Sequence, residues 1–458
     1  MNYKESDYVE YIYYGNRKIP ILYNVDCCVC GGGTSGTSAA IMAAREGLST
    51  VVLEKGVVLG GSQTQALVLP FMPTYVEGSD TNLIKEIKDR MLECGVDMDD
   101  KVTNFGWFNP EKIAYIYDEM LKESGGEVLY NVTLIDSIVE KGEIKYAVIH
   151  TIEGLQAIKS KTFVDATGDA VLSRVSGIEV ESGYEKTGNN QPMSFRFEMG
   201  GIDFDKLSSF IDSINCKWCA TKPPYFEIAM ARGRDIIYDL EYIFINGYEN
   251  GELELEDIEY FQAFTIIGKP GSMSMNCPEI PVKYKSTKAI DISKAIVKGR
   301  EMIQRISKFL KNNMPGFENS FIIREASMIG VRESFRIKGK YFMTEDDYYN
   351  RRTFDDAVAK TAWYIDAHGE KVGDYLGKGE YYEIPYRALV TNEIKNLIVC
   401  GRCISASFIL QASMRIQPSC ITLGETAGVA AKYSIENDIC LNEIKWNVVD
   451  NSIKPYKK

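Results

Sequence analysis

The sequence predicts an α/β protein with a discontinuous doubly wound domain made from residues 1–180 and 390–458, and an α+β domain, residues 181–389, inserted between the two parts. Three observations carry that expectation. An apolar run, a glycine cluster, a small-residue helix and a second apolar run follow one another from residue 25 to residue 55, the order and length of a βαβ unit. The pattern returns past residue 390, where NLIVCG (396–401) reads as a buried strand and CITLGETAGVAAKYSIEN (420–437) as a small-residue helix. Between these ends the chain is more mixed, with β-like segments near 193–199 and 261–283, a long helix near 289–313 and a further strand around 320–325.

From the N-terminus, β-forming tyrosines over 8–25 surround Gly15-Asn16, a turn pair that predicts a hairpin. VDCCVC (25–30) is the first buried strand, TSAAIMAAREG a small-residue helix, and STVVLEK (49–55) a second strand closing on acid. Residues 81–94 and 110–124 read as helices. The second has Asn109 as N-cap, Pro110 at its first position and Gly125 just past its end. EVLYNVTL (127–134) reads as one strand. Residues 144–164, set off by Gly142 and Gly154, read as a small meander, and TFVDATGDA (162–170) as a strand entering a glycine turn.

Composition narrows the function. Across 458 residues, 52 Lys+Arg against 64 Asp+Glu give a charge of −12, which argues against a general nucleic-acid binder. No apolar stretch reaches the ~18 residues a bilayer span needs. MNYKESDYVEYIYY lacks the basic and apolar regions of a secretory signal, so the expectation is a cytoplasmic chain without a membrane partner. Eleven cysteines at irregular spacing suit a reducing compartment better than a disulfide framework. The pairs Cys27/Cys30, Cys216/Cys219 and Cys400/Cys403 have CxxC spacing, but none lies in an iron–sulfur run, and no metal is expected.

Gly31-Gly32-Gly33-Thr34-Ser35-Gly36 matches GxGxxG between a strand and a helix. Gly31 permits the sharp turn, Gly33 lets backbone approach a pyrophosphate, and Gly36 lets helix pack on strand. Phosphates would meet free N–H groups at the positive end of the helix. Glu54 ends the next strand, where a carboxylate accepts from both ribose hydroxyls of an adenosine and repels a 2′-phosphate.

GGGTSGTSAA, LEKGVVLGGSQTQ, FVDATGDA, NLIVCGRCIS and TLGETAGVAA, spanning residues 25 to about 435, together resemble the bacterial FAD-dependent oxidoreductase family. That family has a glutathione-reductase-like flavin domain and is distantly similar to fumarate reductase flavoproteins. The resemblance implies that the interrupted domain binds FAD and the inserted one binds substrate. It implies that Gly31, Gly33, Thr34, Ser35 and Gly36 cradle the pyrophosphate, that Glu54 binds the ribose with Lys55 beside it, and that Gly60, Gly61 and Ser62 pass near the pyrophosphate and flavin. Val132 would offer backbone groups to the adenine. Ala166, Thr167, Gly168 and Asp169 would form a turn near the phosphates. Gly401 and Arg402 would close over the ribityl chain and ring. The helix after Pro418 would point its N-terminus at flavin N1 and O2, where positive helix-end dipole stabilises reduced-flavin charge; its small residues equally suit tight helix packing.

Reaction candidates lie in REASMIGVRESFRIKG (324–339) and YYEIPYRALV (381–390), which resemble the family's GxRES and IPYR motifs. Arg332 and Arg336, four apart, would share a helix face and could clamp an anion, or Arg332 and Glu333 could serve ion pairs joining the two domains. Tyr386 and Arg387 could meet substrate or flavin. His368 could act as a general base, or sit in an ordinary polar turn. Arg415 could neutralise reduced flavin or bind substrate. The expected function is hydride transfer between a small oxygen-rich organic substrate and flavin N5, with a separate, unidentified electron partner and a possible homo-oligomer. The alternatives are an NAD-dependent dehydrogenase using the N-terminal βαβ alone and an FAD-carrying electron-transfer subunit.

Overall fold

Gly15 takes a φ of 57° and turns β1 (Tyr11–Tyr14) back onto β2 (Arg17–Cys30), as the turn pair requires. The computed structural model describes residues 10–94, 106–217, 219–222, 225–232, 237–368 and 376–456. Residues 8 and 9 of the expected hairpin segment lie outside these. Strand β2 runs beyond the hairpin, and its VDCCVC half is almost wholly buried. The chain then forms α1 (Thr34–Arg45) and β3 (Thr50–Leu53), which lies parallel to β2 with Leu53 beside Cys30.

Helices α2 (Asn82–Glu93) and α3 (Pro110–Glu123) follow. Asn109 caps α3 by accepting the Glu111 and Lys112 N–H groups. The single strand expected over 127–134 is two. Asn131 sits at φ 56°, left-handed backbone that Asn tolerates, and breaks it into β4 (Glu127–Leu129) and β5 (Thr133–Glu140). Strand β4 joins β3 in parallel; β5 forms an antiparallel meander with β6 (Glu143–Thr151) and β7 (Gly154–Asp165).

A second, antiparallel sheet of six strands holds β8 (Phe197–Gly200) and β9 (Tyr260–Thr265). The helix α4 (Ala289–Asn313) packs near it, where a side chain at Gly299 would collide with Phe195. Met193, Phe195, Phe226, Phe244, Phe261 and Met302 are in its core, and Leu67 reaches into that core from the loop after β3. Arg336 lies on β10 (Phe335–Ile337), paired with Glu181, and Arg332 precedes it in irregular chain. The expected shared helix face is therefore absent: β-branched and aromatic neighbours give this segment a short strand.

The chain returns to the first sheet with β11 (Leu397–Val399), parallel to β7, giving the parallel order β4-β3-β2-β7-β11. Helix α5 (Gln417–Asn437) closes the layer on α1. The two helices touch backbone to backbone, since a Cβ at Gly424 would stand 2.2 Å from the Ser35 carbonyl oxygen. No helix among the described residues is long and apolar enough to cross a membrane. Cys216 and Cys219 form a disulfide, a departure from the free thiols expected of a reducing compartment, while Cys27, Cys30, Cys400 and Cys403 are free and buried.

Candidate active site

Parallel strands end together, and the loops leaving their C-terminal ends meet. Cys30 lies beside both Leu53 and Asp165, and Asp165 beside Val399. The Gly31 N–H donates to the Leu53 carbonyl, that of Ala166 to Cys30 and that of Cys400 to Asp165. Gly31–Gly36, Glu54, Ala166–Asp169 and Gly401–Arg402 are thereby brought to one edge of the sheet, although more than half the chain separates the first from the last.

Gly31 takes a φ of 97°, and a Cβ there would come within 2.6 Å of the Ala166 carbonyl oxygen. At Gly36 a Cβ would sit 1.8 Å from the Gly31 carbonyl oxygen, so only glycine lets α1 start here. In front of Gly33, by contrast, a Cβ would meet nothing within 4 Å, and no side chain caps α1. An open space facing uncapped N–H groups fits a pyrophosphate. The Gly60 N–H donates to the Gly32 carbonyl at 2.8 Å, and Gly61 passes against Gly33. Thr34 donates to Gln63 Oε1 at 2.9 Å; Ser62 is exposed.

Glu54 is buried. Its carboxylate accepts the Gly32 N–H at 2.8 Å, the Gly56 N–H at 2.6 Å and Gln65 Nε2 at 3.2 Å. A carboxylate has about four acceptor positions, so one remains for a ribose hydroxyl. Lys55 is exposed beside it. The Val132 N–H is already spent on the Glu54 carbonyl. Thr167 accepts the Val171 N–H, tying the ATGD turn to the helix that follows.

Arg402 donates to Ser334 Oγ and to Asp169 Oδ1, both at 2.7 Å, across the Gly168 turn. Burial would raise the Asp169 carboxyl, but Arg402 and the Ser334 hydroxyl hold it below the ordinary range. Gly401 runs against Ser35, whose Oγ is 3.0 Å from where a Gly401 Cβ would be. Pro418 lies in the first turn of α5, which no side chain caps, and the Ser419 hydroxyl there is buried without a partner among the described residues. Gln417 bridges Gln63 and the Val68 carbonyl. The uncapped starts of α1 and α5 thus face one region.

Beside it runs a chain of alternating charges. Arg332 Nη2 and His368 Nδ1 each lie 2.7 Å from Glu279 Oε1. His368 Nε2 lies 3.1 Å from Asp366 Oδ1, and Arg415 Nη2 lies 3.1 Å from Asp366 Oδ2. Burial would raise the Glu279 carboxyl, but Arg332 and His368 hold it down to about 2. Burial and Arg332 would lower His368, yet Asp366 and Glu279 raise it above its ordinary value. With both ring nitrogens engaged by carboxylates, His368 is set up as an imidazolium rather than a free base. Tyr260 lies edge-on to its ring at 5.9 Å.

The remaining candidates take partners elsewhere. Arg336 is wholly buried, donating to the Ala406 and Gly183 carbonyls and pairing with Glu333, which also binds Asn190 and the Gly183 N–H. Tyr386 donates to the Leu441 carbonyl and stacks on Trp446; Arg387 lies on the surface, paired with Asp356 at 2.8 Å. Burial pushes the Cys400 and Cys403 thiols up, so neither is a ready thiolate. Sequence reasoning missed Arg196, Tyr260, Glu279 and Asp366. The available signals were a charge inside the apolar SFRFEMG strand, an acid between prolines in CPEIP and an acid two residues before His368.

The family model described as FAD dependent oxidoreductase matches residues 26–453. The mitochondrial dihydrolipoyl dehydrogenase of Schizosaccharomyces pombe is 28% identical over 153 residues, 32% of this chain and 28% of that enzyme, so the chain matches under a third of its length. Among solved structures, a geranylgeranyl bacteriochlorophyll reductase-like protein of Thermoplasma acidophilum aligns at 14% identity over 91% of this chain and 80% of that one, with TM-score 0.47. The p-nitrophenol 4-monooxygenase of Pseudomonas putida aligns at 10% identity over 91% and 82%, with TM-score 0.46. The myxobacterial chondrochloren halogenase aligns at 12% identity over 93% and 77%, with TM-score 0.47.

Proposed function

Because the chain belongs to the FAD-dependent oxidoreductase family, we propose that it exchanges a hydride between a small oxygen-rich organic substrate and flavin N5. The observation that carries this reading is the convergence just described: the glycine turn, Glu54, the ATGD turn and Gly401–Arg402 on one sheet edge, with Gly424 in the second turn of α5 against Ser35. FAD, when bound, supplies a hydride acceptor and donor that no side chain can supply.

The residues divide the work. Uncapped N–H groups at the start of α1 bind the pyrophosphate, and Glu54 offers its remaining acceptor position to the ribose. The start of α5, with Arg402 nearby, favours negative charge at the pyrimidine edge of the ring. The charge chain from Arg332 to Arg415 faces the substrate side. His368, held between two acids, orients the substrate and can donate a proton from an imidazolium. A separate redox partner restores the flavin between turnovers.

Purification tests this directly. The holoprotein should keep visible flavin absorbance through gel filtration, and one member of a panel of hydroxy acids, unsaturated acids and sugars should bleach it, or reoxidise the reduced form, without oxygen. A colourless protein that binds NAD, or a flavin that no panel member bleaches or reoxidises, would sink the proposal.

A further inference from the structure

Arg196 precedes β8, between Phe195 and Phe197 of the second core, and is only 7% exposed. Its Nη1 donates to the Leu67 carbonyl at 3.2 Å. Leu67 is itself a buried non-glycine residue at φ 55°, left-handed backbone that turns this carbonyl onto the guanidinium. The loop is fixed there by the Met328 N–H, which donates to the Gln65 carbonyl. Among the described residues Arg196 has no carboxylate partner, and its Nε is buried without an acceptor. A buried guanidinium lacking a counter-ion carries a desolvation cost that a partner must offset.

The neighbourhood makes the deficit larger. Arg196 lies near Arg332, Tyr260 and Glu279. Burial, then Arg332, push Arg196 down to about 9. Arg196, Arg332 and Arg415 stand with two carboxylates, Glu279 and Asp366, leaving one positive charge uncompensated before His368 is counted. Arg402 is outside this imbalance because Asp169 neutralises it. The other four side chains of the chain keep between 11% and 27% of their surface accessible, and Arg332 8%.

With Nη1 on the Leu67 carbonyl and Nε buried, Nη2 is the guanidinium donor left for an anion. We propose that Nη2 binds a carboxylate of the substrate, so that the substrate class is a small carboxylic acid; the inference rests on the oxidoreductase reading above. Glu279, near Arg196, disfavours a dianion such as hydrogen phosphate.

The test uses purified full-length protein, titrated with acetate, propionate, inorganic phosphate and uncharged acetamide, read by melting temperature and by the visible flavin spectrum. Acetate or propionate should raise the melting temperature and perturb the spectrum, with phosphate and acetamide inactive. Arg196→Met should weaken carboxylate binding about tenfold or more at unchanged flavin content. Arg196→Lys, which keeps the charge but loses the Nη2 donor position, should weaken it several-fold and covers the case in which Arg196→Met fails to fold. No carboxylate effect in the wild type, equal response to phosphate, or undiminished affinity in either variant overturns the assignment. A protein isolated without flavin that still binds carboxylate through Arg196 would refute the oxidoreductase reading and leave this one standing.

Discussion

Glu425 lies on α5, 1% exposed, facing the start of α2. Burial pushes its carboxyl up to about 8, against a weaker pull from the Thr81 hydroxyl and the Leu83 N–H. In the unfolded chain the same group titrates near 4.5. Between those values the folded state holds a proton that the unfolded state has released, so stability falls as pH rises. The slope is about 1.4 kcal/mol per pH unit, or about 3 kcal/mol between about pH 5 and about pH 7. Glu425→Gln removes the titration from both states. At about 2.1 cal/mol/K per residue, unfolding 458 residues carries about 1 kcal/mol/K. The variant should therefore gain about 3 °C of melting temperature over the wild type between those two pH values. The assay is paired thermal unfolding across pH with FAD at fixed excess. A gap between the two proteins that does not change with pH would refute the argument, because it would mean that Glu425 is ionised in the fold or solvated.

Gly424→Ala should push α5 off α1, because its Cβ would stand 2.2 Å from the Ser35 carbonyl oxygen; the expected cost is about 1–3 kcal/mol with flavin lost on gel filtration, and a stable variant with full flavin would contradict that packing. Glu54→Ala should weaken FAD binding about tenfold or more in a titration of apoprotein; a fall in melting temperature with unchanged FAD affinity would limit Glu54 to holding Gly32 and Gly56. Tyr386→Phe removes one hydrogen bond to the Leu441 carbonyl and should cost about 1 kcal/mol in urea unfolding while turnover stays unchanged; loss of turnover at wild-type stability would return Tyr386 to the site.

Local pattern carried the parts of the fold whose causes are local. The Gly15-Asn16 hairpin, the Asn109-Pro110 start of α3, the GxGxxG turn and the glycines of α5 each depend on neighbours within a few residues. The 127–134 segment failed because one left-handed asparagine redirects the chain between two sheet partners, a choice that strand propensity cannot see. Arg332 and Arg336 failed similarly: i, i+4 spacing has meaning only on a helix, and pairing with Glu181 makes this segment a strand. The charge chain was partly legible, since Arg332, His368 and Arg415 were candidates, but Glu279 and Asp366 enter through irregular segments that only tertiary packing aligns. Arg196 was hidden because an arginine between phenylalanines gives no sign of whether a carboxylate awaits it.

Strand β11 docks on β7, with Val399 beside Asp165. During synthesis roughly 230 residues must emerge between those two partners, which at typical ribosomal rates takes roughly 10–50 s. Until then the amino-terminal βαβ unit exists as a half-built layer whose apolar edge at β7 is exposed and open to mispairing. A nascent chain arrested before residue 397 should accordingly depend on chaperones and hold nucleotide weakly, and the cofactor would act as the last piece that locks the two halves together, late in the life of the polypeptide on the ribosome.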